Sequence, residues 1–121
     1  MGAIELRPKL KSYLEKELNE SMTAIARNEL DSCWIHLERA HILSQAYPWP
    51  HVRVHLWMLY VGLKKRDLRE IVGQVARTVV AAPGSWLGRA PPGNTGGANV
   101  GILQPMPIPD DLRAILEGKE K

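Results

Sequence analysis

His36, His41, His51 and His55 fall in one short window of the chain. Imidazole is the side chain that ligates metals when neutral and titrates nearest to neutral pH. His51 and His55 are four residues apart, so on a helix they stand one turn apart on the same side and can share an ion. Glu38 and His41, three apart, offer a carboxylate and an imidazole in the same way. Pro48 and Pro50 interrupt the chain between the two pairs. A short Gln45–Pro50 connection makes the flanking helices antiparallel, which brings the last turn bearing His41 beside the first turns bearing His51 and His55. The expectation is a mononuclear site built from His41, His51 and His55, with Glu38 as fourth ligand or outer partner. Such a donor set suits Zn, Cu, Ni or Fe, with Zn or Cu preferred. A di-iron centre needs a second ExxH pair that the chain lacks. Val52 stands where the HExxH metalloprotease motif requires Glu. The plainer alternative is that these are core histidines whose nitrogens bond carbonyls or neighbouring side chains. It applies most strongly to His36, which faces away from the apolar stripe, while His51 in a first turn has a solvated rim as its alternative.

Other chemistry is poorly supplied. Cys33 lies mid-helix beside Trp34, where a thiol is normally inert filler. Gly93-Asn94-Thr95-Gly96 lacks the Lys-Ser/Thr of a phosphate loop and follows no strand. No general base or nucleophile is identifiable, so no reaction is assigned and the reading leans away from an enzyme.

Four amphipathic stretches must position the histidines. The first runs from about Arg7 to Ala26, with Leu10, Tyr13, Leu14, Leu18, Met22 and Ile25 at helical steps. The second starts near Asn28 to Asp31, both good N-cap types, and aligns Leu30, Cys33, Trp34, Leu37, Ala40, His41 and Ser44. The third starts at Pro50 with a stripe of Val52, His55, Leu56, Leu59 and Leu63, and Lys64-Lys65-Arg66 complements its C-terminal dipole. Asp67 and Glu70 resemble a capping box before Leu68, Ile71, Val72, Val75, Ala76 and Val79, a run that Ala82-Pro83-Gly84 should end. Pro and Gly then crowd residues 85–109, followed by a short helix from about Asp110 to Leu116. Interspersed Trp86, Leu87, Val100, Ile102, Leu103, Met106 and Ile108 predict an ordered segment wrapped over the helices. The Gly93–Gly97 turn uses Gly and Asn for positive φ and side-chain caps. Residues 1–121 therefore read as one all-α domain of two antiparallel helix hairpins, a tetratricopeptide-like four-helix arrangement closed by the wrapping segment.

The composition fits that reading. A chain of 121 residues, 45% hydrophobic and 24% charged, makes one core without disulfide or metal staples. A lone cysteine and a charged N-terminal stretch predict a reducing cytoplasm. The longest uncharged stretch, Ala90 to Pro109, is too rich in Pro and Gly to span a bilayer. The net charge of +3 is dispersed without aromatic-basic interleaving, which argues against nucleic acid as a partner.

Ala40-His41-Ile42-Leu43-Ser44-Gln45, His51-Val52-Arg53-Val54-His55, Ala81-Ala82-Pro83-Gly84-Ser85, Gly93-Asn94-Thr95-Gly96 and Pro105-Met106-Pro107-Ile108-Pro109 together resemble an uncharacterised bacterial family of about this length, a domain of unknown function. The resemblance covers about Leu30 to Leu116 and implies a small bacterial protein with no established activity. Two functions from different classes remain in view. One is binding or handling of a divalent transition metal between the second and third helices. The other is a metal-independent interaction module that binds a protein partner or a second copy of itself. In that case Trp57, Tyr60 and Trp86 form an exposed apolar groove and Asn94 and Thr95 supply polar contacts.

Overall fold

The computed structural model describes residues 6–120. It holds five helices, α1 (Pro8–Ala26), α2 (Leu30–Ser44), α3 (Pro48–Lys65), α4 (Leu68–Trp86) and α5 (Asp110–Glu117), and no strand among those residues. The fold is all-α, as the periodicity predicts. α1 pairs with α2 and α3 with α4, α2 joins the two hairpins through α3, and α5 packs against α1 and α2. No described helix is long and apolar enough to cross a membrane.

The helix ends follow local chemistry; they correct the cap of α2 and two boundaries, the start of α3 and the end of α4. Asn28 does not cap α2; it ends α1, taking φ 56 so that its own N–H reaches Ile25 O at 2.9 Å and the Glu29 N–H reaches Ala24 O at 2.8 Å. Neither Asn28 nor Asp31 caps α2, whose N-cap is Glu29 with no side-chain bond. α3 begins at Pro48, two residues before Pro50, because proline forces the preceding Tyr47 into an extended conformation and suits the first helical position. Asp67 caps α4 by accepting from the Glu70 N–H, yet Glu70 does not complete the box and turns its carboxylate to Gln74 and Ala98. α4 also runs through Pro83 and Gly84 to Trp86.

Two apolar clusters hold the helices together. Leu14, Leu18, Cys33, Leu37, Ala40, Val54, Met58 and Val61 lock α1, α2 and α3. Leu10, Ile42, Leu43, Leu112 and Ile115 seat α5 on α1 and α2. Each fully buried Leu or Met here stabilises by about 2–3 kcal/mol relative to exposure. The expected stripes of α3 and α4 are displaced. α3 buries His51, Val54, His55, Met58 and Val61 and leaves Leu56 and Leu63 exposed. α4 turns Gln74, Ala81, Ala82 and Ser85 inward and presents Leu68, Val72, Val75 and Val79 to solvent. The wrapping segment is ordered by hydrogen bonds more than by apolar burial. Leu87, Ile102 and Leu103 are exposed, whereas Arg77 donates to Val100 O, Glu70 receives the Ala98 N–H, and the Met106 N–H reaches Pro92 O.

Candidate metal centre

The short Gln45–Tyr47 connection sets the last turn of α2 against the first turns of α3, and His41, His51 and His55 meet there. All three are buried, at 3%, 7% and 2% exposure. Their Nε2 atoms form a triangle with edges of 3.0, 3.1 and 3.0 Å.

The outer nitrogens decide what that triangle is. His41 Nδ1 lies 2.6 Å from the Asn94 carbonyl, which can only accept, so Nδ1 carries the proton. His51 Nδ1 lies 2.9 Å from Ser85 Oγ, whose own proton goes to Gln45 O at 2.5 Å, so His51 donates to it. His55 Nδ1 lies 2.6 Å from Gln74 Oε1, and the Gln74 amide is oriented by donating through Nε2 to Glu70 Oε2 and Gly96 O. Each ring is thus fixed as the Nδ1–H tautomer, and three Nε2 lone pairs face one another with no proton between them. This outward anchoring is the arrangement that metal-ligating histidines adopt.

Burial keeps the rings neutral. It holds His41 well below its ordinary value, with the neighbouring His55 and His51 adding to the effect. It lowers His51 to about 3 and His55 to about 4, and the Gln74 bond opposes the shift at His55. Neutral imidazole is the form that binds a metal. An ion about 2.0–2.1 Å from each Nε2 would sit about 1 Å above the plane of the triangle, leaving its opposite side open.

The open ground beside the histidines is a cavity of about 330 Å³ walled by Gln45, Arg77, Val80, Ala81, Ile102 and Leu103 among others. No Asp or Glu among the described residues lines it.

Glu38 is not in the cluster. It lies three residues before His41, about 4.5 Å back along the axis of α2 and away from the hairpin turn where α3 brings its histidines. Burial raises its carboxyl pKa, opposed by a hydrogen bond from Trp34. His36 pairs with Glu17 at 2.7 Å, outside the centre as expected. Cys33 is fully buried and burial pushes its thiol up to about 11, an inert filler. Trp57, Tyr60 and Trp86 do not share one groove. Trp57 and Tyr60 stack edge-on beside Met22 and Ile25 of α1, whereas Trp86 stacks on Trp49 at the start of α3. Asn94 faces inward at 3% exposure, its amide donating to Gly101 O and Gln104 O and accepting the Gly96 N–H; its neighbour Thr95 is half-buried.

The residues that sequence reasoning missed are Gln74, Ser85 and the Asn94 carbonyl, the three outward acceptors. A Gln within the helical run of α4 was the visible signal for the first; a carbonyl has no residue signature at all. No curated protein and no solved structure matches the chain. Residues 8–116 match the model of the family described as protein of unknown function (DUF3703), and the chain belongs to that family.

Proposed function

We propose that the protein binds one divalent transition-metal ion, Zn or Cu, through Nε2 of His41, His51 and His55, and that its role is to bind or hand on that ion in a reducing cytoplasm. One observation carries the reading: with every Nδ1–H committed outward, three buried lone pairs converge on a point that a cation relieves and that no internal hydrogen bond can. Ordinary core histidines would turn a donor toward an acceptor. Glu38 has no part in this ligand set, because its carboxylate lies outside the converging group.

The test is calorimetric titration of chelated, untagged protein with Zn, Cu, Ni and Co. Stoichiometric binding that is lost in His41→Ala and His55→Ala is the expected result. Gln74→Leu keeps all three ligands and removes the acceptor that orients His55, so it should weaken binding by about 10–100-fold. Binding no tighter than millimolar, with the variants still folded, overturns the proposal.

A second, compatible reading is self-association through α4. Leu68, Val72, Val75 and Val79, at 72%, 62%, 50% and 71% exposure, follow the 4-3-4 spacing of a coiled-coil seam. No charged residue interrupts that stripe. An uncharged apolar seam complements its own copy across a two-fold axis, so the occupant proposed is a second copy of this chain.

A further inference from the structure

With an ion at the three Nε2 atoms, the charge around it does not close. The donors are imidazoles that each commit Nδ1–H outward and present an uncharged Nε2. Arg77 brings a further positive charge to the same cavity wall, and among the described residues its guanidinium donates to the Gly73 and Val100 carbonyls. Arg89 also lines the cavity. Glu70 reaches His55 through Gln74 and is shared with the Ala98 N–H, and no Asp or Glu among the described residues lines the cavity. Buried charge left unpaired is costly, so the open coordination position calls for an anion from outside.

The cavity says what kind of anion. A hydroxide or a single water occupies roughly 30 Å³, whereas this space is about 330 Å³, the lower end of the size that takes small organic ligands. Away from the arginines its walls are Val80, Ala81, Pro83, Ile102 and Leu103. Resting on the metal reading, we propose that the cavity binds a small organic monocarboxylate. Its carboxylate is shared between the ion's open position and Arg77, and its apolar body lies against Val80, Ile102 and Leu103.

The experiment uses full-length protein loaded with Co(II), whose visible bands report the coordination sphere, titrated with benzoate and with acetate. The expected result is a saturable band shift with benzoate at a Kd at least about tenfold lower than for acetate. Arg77→Met should weaken benzoate at least about tenfold while Co(II) stoichiometry stays at one per chain. Leu103→Asp, at a wall position already 69% exposed, should weaken it similarly without touching the polar network, and serves if Arg77→Met fails to fold. Equal response to both anions reduces the cavity to a bystander, and no response to either leaves the open position to water; either overturns this proposal alone. Absence of any Co(II) band overturns the metal seat and this proposal with it.

Discussion

A histidine that donates outward through Nδ1 has no choice about the nitrogen it presents inward, and in this protein that choice is made three times by three unrelated acceptors. The pH dependence follows. In the folded chain His51 titrates at about 3, His55 at about 4 and His41 well below its ordinary value. In the unfolded chain each titrates near 6.5. Between those limits the unfolded state binds more protons, so the stability held in the neutral cluster is fully present above about pH 6.5 and is lost as pH falls toward 4. Urea denaturation midpoints of metal-free protein measured from pH 8 downward should therefore stay level to about pH 7 and then drop, with uptake of up to three protons on unfolding. A level profile through pH 5 would count against rings kept neutral by burial.

The helices were legible as periodicity, and the meeting of His41 with His51 and His55 followed from two adjacent helices and a short turn. What was not legible is how α4 faces. Its apolar run, Leu68, Val72, Val75 and Val79, has the pattern of a core stripe, yet the inward face carries Gln74 and Ser85 because these bond His55 and His51. Periodicity reports that a helix is two-sided and cannot report which side a polar network has claimed. The wrapping segment hid its role for a related reason: Asn94 anchors His41 through a carbonyl that any residue possesses, and only the flanking glycines mark the turn. Gly96 has φ 87, and a Cβ there would meet His41 Cδ2 at 2.5 Å; at Gly93, φ 77, a Cβ would collide with the Met106 carbonyl. Gly96→Ala should accordingly destabilise by about 1–3 kcal/mol through backbone strain alone. It should weaken metal binding as well, since the His41 ring or the turn must shift. Thermal melts with and without Zn read both effects, and a variant melting like the parent in both conditions would show that the turn does not hold His41.

Facing α4's polar side inward leaves the whole molecule with an apolar ridge in water. Small soluble proteins seldom expose a contiguous patch of more than a few hundred Å², and here Leu68, Val72, Val75 and Val79 run along one line of a single helix with Trp86, 39% exposed, seven residues beyond Val79. The four line residues are uncharged aliphatics, and two copies packed in parallel about a two-fold axis along α4 would place each beside its counterpart. Sedimentation velocity from high micromolar to nanomolar protein should show a dimer that dissociates on dilution. Val75→Asp sets two like charges against each other at the centre of that seam, so it should give monomer at every concentration. Because Val75 is already 50% exposed within one chain, the same substitution should leave the monomer's melting temperature within about 2–4 °C of the parent's. A parent protein that sediments as monomer throughout the range would overturn self-association through α4. A Val75→Asp protein that stays dimeric would move the interface elsewhere. Metal binding should be unchanged in this variant, since α4 reaches the histidines through Gln74 and Ser85, on the face opposite to the ridge; loss of the metal together with the dimer would mean that the pairing of two copies is what holds those two acceptors in place.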